Sequence, residues 1–258
     1  MRKHFLLVAL SLATFFSGNR AFGQVANAKP APPKVLIFFS LNVEADHALF
    51  ATDALKFFME LADKDGFRLE ATTNFADMTD ANLKQYKLIM WLNGFPGGAA
   101  EKEAFERYMS NGGAWLGFHV AAYNDRNFKW TWFKNFIGGG AFDANSWPPI
   151  PAKLIVDDPD SPVTKNLPKS FMSPTNEWYR WKPSPRLGKD IHVLLTLDPS
   201  NYPLGIKGPV MSGDIPVVWT NANYKMLYMN MGHGDKIFTS PIQNTLIENS
   251  VLWLLDKH

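Results

Sequence analysis

Three histidines follow apolar runs in this chain. His47 comes after VLIFF at 35–39, His119 directly after AWLGF at 114–118, and His233 directly after LYMNMG at 227–232. Imidazole titrates near neutral pH, ligates transition metals as the neutral ring, and serves as a general acid or base. A lone histidine is usually a hydrogen-bonded structural residue. Strands of a parallel sheet, however, bring their carboxyl-end exits together. We therefore expect His47, His119 and His233 to share a pocket. Their spacing is dispersed and lacks the H-E-x-x-H pattern, so no local signature marks a metal. Two uses stay open: a divalent ion such as zinc on His47, His119 and His233, or a plain acid–base pocket. His192 begins an apolar run and is expected to be structural, and His258 is terminal and solvated.

Glu177 is the candidate acid. It sits in SPTNEWYRW at 173–181 beside Trp178, Tyr179 and Trp181. Burial among rings would raise its pKa and make it a usable proton donor; the alternative is a surface glutamate beside a structural aromatic cluster. Glu44 and Asp46 lie close enough to His47 in sequence to orient it, although Asp46 also reads as the N-cap of the following helix. Trp178 and Tyr179 offer aromatic faces on which a sugar ring could stack. Together with Trp130, Trp132, Trp147, Trp181 and Tyr202, they are equally what a compact cap needs for its own core. Gly138-Gly139-Gly140 is weak evidence for phosphate binding, and no P-loop or G-x-G-x-x-G follows a strand, so a nucleotide cofactor is not supported.

These residues need elements to position them. The runs at 35–39, 67–73, 87–92 and 114–118 read as strands, with helices at 46–64 and 99–110 between them. Alternating strand and helix at this spacing predicts an α/β fold with a parallel sheet between helices. The region 140–190 is rich in Pro, Trp and Ser and holds one clear strand, at 153–156; it reads as a long irregular insertion or cap. Apolar runs at 192–197, 216–219 and 226–231 and a helix at 241–255 complete the domain. GGAWLGFHVAAY at 112–123 resembles a strand–turn–helix elbow. Hydrolases place Ser or Cys at that point, and here His119 occupies it, which argues against a covalent acyl-enzyme.

Composition narrows the classes further. The chain has 258 residues, 46% hydrophobic and 19% charged, which is globular rather than disordered. It has no Cys, which removes disulfides, zinc ribbons, iron–sulfur clusters and thiol nucleophiles. Any metal must use His, Asp or Glu. Residues 1–23 combine a basic start, an apolar run of about 12 residues and a small-residue cleavage signal, as in a secretory signal; about 20 residues are needed to span a bilayer. Residues 24–33 form a Pro/Ala linker, and 34–256 the domain. Removing 1–23 leaves 23 basic against 24 acidic side chains, turning the formal charge of +2 into −1. No basic stripe remains, so nucleic acid is not an expected partner. A periplasmic or secreted location is expected, with no stable membrane insertion once the signal is cut.

At this point the chain resembles the ThuA-like family, named for trehalose utilisation. The match is carried by NVEADH and its helix (42–61), NGGAWLGFHVAAY (111–123), DDPDSPVTKNLP (157–168), NEWYRW (176–181) and VVWTNANYKMLYMNMGHGDKIFTSP (217–241). The resemblance implies a flavodoxin-like, class I glutamine amidotransferase-like α/β fold without the Cys nucleophile. It implies a pocket of His47, His119, Glu177 and His233, and a small-molecule sugar as ligand, including 3-keto sugars or related glycosides. In one such reading His119 is the base, Glu177 the acid, and His47 and His233 stabilise an enolate directly or through a metal. In another, the pocket binds sugar without chemistry, with Trp178 and Tyr179 as platforms. In a third, the chain is a structural partner in an exported sugar-processing complex. One departure stands out: where many members carry a His after the Gly-Gly-x-Phe stretch, this chain has Asn145.

Overall fold

The structure is a computed structural model that describes residues 31–125, 127–205 and 212–258. The expected signal sequence and residues 24–30 of the linker lie outside the described residues. Among the described residues no helix is long and apolar enough to cross a membrane.

The parallel part starts with β1 (Lys34–Phe38), followed by α1 (Ala45–Asp65) and β2 (Arg68–Thr72). The short α2 (Asp80–Leu83) leads to β3 (Leu88–Trp91), then α3 (Ala99–Ser110) and β4 (Ala114–Phe118). After α4 (Thr131–Phe136) come β5 (Ala141–Asn145), β6 (Ile150–Val156), β7 (Ser170–Asn176) and β8 (Tyr179–Lys182). The chain closes with β9 (Ile191–Leu197), β10 (Pro216–Asn221), β11 (Tyr224–Met229) and α5 (Pro241–Leu254).

Nine of these strands form one sheet in the order β2-β1-β3-β4-β11-β10-β9-β6-β7. The first five are parallel to one another, in the order of a flavodoxin-like sheet. The α/β reading therefore holds. Side chains of the parallel strands alternate between two cores, as the two-residue period requires. Val35 and Ile37 join Phe50, Phe58, Leu246 and Val251 of α1 and α5. Leu36 and Phe38 join Phe105, Phe133 and Phe136 of α3 and α4 on the other face. Burial on both faces is why these strands read as continuous apolar runs.

Two expectations need correction. The sheet is not parallel throughout: β10, β9, β6 and β7 continue it in antiparallel pairs. The region 140–190 is not an irregular insertion either. It holds four strands, with β5 and β8 forming a separate two-stranded sheet. Its periodicity is masked because β6 carries Pro151 beside a register shift between Ile150 and Ala152, the kind of irregularity that admits proline.

Candidate functional site

The site lies at the carboxyl ends of the parallel strands. His47 is the third residue of α1. Its position is tied to the neighbouring strand exit by Asn93, whose amide nitrogen donates to Ser40 O (2.8 Å) and His47 O (3.0 Å) while its Oδ1 accepts from Ser40 N–H (2.8 Å). His119 opens a single 3₁₀ turn after β4 with φ +43°. This left-handed backbone is uncommon for a residue with a side chain. It is supported by the Tyr228 hydroxyl, which donates to His119 O at 3.0 Å. The chain after β11 passes so close that a Cβ on Gly232 would stand 2.6 Å from the His119 Cβ, and Gly232 has φ +153°; only glycine fits. The next residue is His233. Its backbone N–H and that of Gly232 both donate to Asn176 Oδ1 at 3.1 Å. Asn176 ends β7 and its amide donates to Glu177 O (2.9 Å), so one buried side chain joins the last strand exit to the loop that carries Glu177.

The three imidazoles converge. Ring centroids are 4.9 Å apart for His47 and His233, 5.3 Å for His47 and His119, and 5.5 Å for His119 and His233. His119 Nδ1 lies 2.9 Å from Asn230 O. A carbonyl can only accept, so Nδ1 carries the hydrogen and the neutral ring presents a lone pair at Nε2. That lone pair faces Glu177 Oε2 at 3.1 Å. Two lone pairs at this distance require a proton or a cation between them. Burial holds the His119 imidazole down at about 3 and pushes the Glu177 carboxyl above its ordinary range. Without a cation, the shared proton therefore belongs on Glu177. Glu177 Oε1 accepts a hydrogen bond from Asn145 Nδ2. Burial likewise lowers the pKa of His47 and of His233, each helped by a neighbouring histidine, so all three rings are neutral ligands at neutral pH.

Two overlapping donor groups could hold a metal ion: Glu44, His47 and His233, and His47, His119 and Glu177, each with its ligand atoms within 4.8 Å of one another. The donor chemistry fits a divalent transition ion. One atom points the same way: His47 Nε2 is buried without a hydrogen-bond partner, whereas the equally unpartnered His233 Nδ1 faces Asp46, outside both groups.

His47, His119, Glu177 and His233 thus come together as expected, and Asn145 joins them through Glu177. The aromatic platforms do not. Trp178 is fully buried and its indole N–H donates to Ile150 O at 2.9 Å. Tyr179 is buried and stacks on His119 with centroids 4.0 Å apart. Neither ring has a free face for a sugar. Asp46 is not the cap of α1; Glu44 holds that position, without a side-chain cap bond. Asp46 instead places Oδ2 3.6 Å from His233 Nδ1, and Glu44 Oε2 lies 3.5 Å from His47 Nδ1 and 3.6 Å from His233 Nε2. His192 is exposed and paired with Asp158 at 2.7 Å. Asn93, Asn176, Asn230 and Tyr228 are the residues that sequence reasoning missed. Polar side chains within or beside apolar strand ends were their only signal.

A flavodoxin-like sheet with a buried His/Glu cluster at its strand exits defines the class. The chain belongs to the ThuA family, described as trehalose utilisation, which matches residues 34–254. It is 52% identical to a ThuA-like protein from Bacteroides uniformis of known crystal structure, with a TM-score of 0.85 over 90% of this chain and 95% of that one. A second ThuA-like protein, from Parabacteroides merdae, is 20% identical, with a TM-score of 0.64 over 88% of this chain and 91% of that one. A cold-adapted β-galactosidase from Rahnella sp. R3 shares the fold alone, at 10% identity and a TM-score of 0.55, over 86% of this chain and 31% of the enzyme. No curated protein matches.

Proposed function

We propose that the site is catalytic and acts on a carbohydrate, specifically by proton transfer at a 3-keto glycoside. The observation that carries this reading is the 3.1 Å contact between Glu177 Oε2 and His119 Nε2 in a buried pair, which a shared proton would bridge. His119 has no exposed surface, whereas the Glu177 side chain is 11% exposed. The group that reaches substrate is therefore Glu177, and His119 acts behind it as a positioning residue that takes or returns the proton. This exchanges the roles expected from sequence, where His119 was the base.

A ketone at C3 acidifies the hydrogen at C2. In the first step the shared proton moves to His119 and the Glu177 carboxylate takes the C2 hydrogen, leaving an enolate whose charge rests on O3. Hydrogen-bond donation from His47 and His233 stabilises that oxygen. In the second step the enolate reforms the ketone, a C1–C2 double bond forms and the C1–O bond breaks. The departing oxygen takes a proton from Glu177, so a 3-keto glycoside gives a 3-keto-1,2-ene and a free alcohol. His47, His119 and Glu177, or Glu44, His47 and His233, would hold a divalent metal, which when bound supplies Lewis-acid stabilisation of an oxyanion. The same proposal includes export directed by residues 1–23.

The test is incubation of purified protein with 3-keto-trehalose while released sugar is followed. Turnover is expected from the wild type. No turnover, or turnover unchanged in Glu177→Gln, overturns the reading; binding without product identifies a carbohydrate-binding protein instead. Elemental analysis of the same preparation decides the metal: retention near one ion per chain that is lost in His47→Ala supports it, and a metal-free protein with full turnover removes it.

A further inference from the structure

We infer that Trp147 is the substrate-stacking residue of this site and sets its preference for a sugar ring. The inference rests on the proposed carbohydrate activity and deepens it. Trp178 and Tyr179 cannot stack on a ligand, because one is fully buried and the other is covered by His119. Trp147 differs from both. It is 39% exposed, and among the described residues no other tryptophan is in the exposed class. Its ring centroid lies 6.4 Å from that of His233, with the planes perpendicular at 88°.

Its place in the chain links it to the acid. Asn145, which donates to Glu177, ends β5 and pairs with Tyr179 of β8. Ser146 is buried, its N–H donating to Trp178 O and its hydroxyl accepting from Trp178 N–H, both at 2.9 Å. Trp147 comes next. A segment that aims an amide at the carboxyl thus carries an indole at the rim two residues on. The backbone under that indole is closely backed: a Cβ on Gly205 would stand 2.8 Å from Trp147 N. An exposed ring on a backbone so closely held loses little freedom when a ligand lies against it. The C–H face of a pyranose is apolar and matches such a ring, while its hydroxyls and carbonyl remain free for polar partners.

The experiment compares wild type, Trp147→Ala and Trp147→Phe for turnover of 3-keto-trehalose, and measures Kd for the same sugar by calorimetry in the Glu177→Gln background, where turnover is expected to be slow enough for binding to be read before product accumulates. Trp147→Ala is expected to raise KM and Kd about tenfold or more while kcat stays within about threefold, the pattern of lost ground-state binding. Trp147→Phe is expected to restore most of the affinity. Unchanged KM and Kd in Trp147→Ala overturn the platform and leave the catalytic reading standing. Binding that Trp147→Ala weakens, in a wild type that never turns over, keeps the platform and removes the catalysis. No binding and no turnover by the wild type overturns both.

Discussion

Five strands of the sheet run parallel and four run antiparallel, and each half brings different groups to the site. The parallel half contributes rings: His47 after β1, His119 after β4 and His233 after β11. Topology alone makes such exits converge. The antiparallel half, with the separate β5–β8 sheet attached to it, contributes a carboxyl, Glu177 between β7 and β8, and Asn145 at the end of β5. Nothing in strand direction requires these to meet the histidines. They do so because the small β5–β8 sheet folds over the strand exits and Asn176 ties its base to the loop carrying His233. Neutral imidazoles alone make a ligand set; a shared proton needs the carboxyl from the other half.

The sharpest way to separate the two contributions is Glu177→Gln. Glutamine can still accept from Asn145, and its amide can donate to the lone pair at His119 Nε2. Both hydrogen bonds of the wild-type pair survive, and only the transferable proton is lost. Turnover is expected to fall by about 10³-fold, within the range for a general acid–base group, with the melting temperature unchanged or higher. Residual activity within about tenfold of wild type would mean that the antiparallel half supplies shape and no chemistry.

Gly232→Ala tests the parallel half. The added methyl would press on the His119 Cβ from a backbone at φ +153°. A loss of about 1–3 kcal/mol in stability is expected from overpacking, together with reduced turnover as His119 is displaced from Glu177. Denaturant unfolding with the slope unchanged would give the first number directly. A neutral substitution would show that the two strand exits are not held at van der Waals distance.

The parallel half was largely legible from sequence, and the other half was not. Runs such as VLIFF and AWLGF are apolar on both faces because both faces are covered, so their period gives no ambiguity about burial. The helix at 99–110 is matched to the residue. In β7, SFMSPTN alternates only partly and carries a proline, and β5 has no fully buried position. Such strands are stabilised by pairing partners far away in sequence, which a local pattern cannot show. The same holds for the site. Three histidines could be placed by strand exits. The burial that separates Trp178 from Trp147 depends on how the two sheets meet. Asp46 misled because a helix start usually wants a cap, whereas here the carboxylate faces His233.

Acid should act on the two halves with opposite signs. His119 is held down at about 3 in the native protein, against 6.5 for the ordinary group. Between those values the unfolded chain binds a proton that the native ring refuses. Stability is therefore expected to fall as pH drops from about 6.5 toward 3, by up to about 1.4 kcal/mol per pH unit. His47 and His233, also lowered, act in the same direction. Glu177 is raised by burial, so its contribution declines as pH rises from 4.5 through its native value and partly offsets theirs. Unfolding midpoints between pH 7.5 and 5 would measure the sum. His119→Asn, which tolerates the positive φ, is expected to flatten the acid slope; an unaltered slope would mean that His119 is not held neutral by burial.

The smallest effect is expected at His192, and its smallness is informative. His192 on β9 has the same residue type as His119 and also faces a carboxylate, Asp158 at 2.7 Å. Its side chain is 58% exposed, where that of His119 has no exposed surface. Water screens the pair and hydrates either partner alone, so a broken contact is replaced at little cost. Asp158 also accepts from Asp160 N–H at 3.0 Å, and its carbonyl takes the hydroxyl of Thr164. The acidic turn at 157–168 thus holds its own shape without the histidine. His192→Gln is expected to change stability by less than about 1 kcal/mol and to leave turnover of 3-keto-trehalose unaltered. A larger change in turnover would place a functional role on the antiparallel half outside the Glu177 loop. A null result would confine the chemistry to the end of the sheet where the two halves meet.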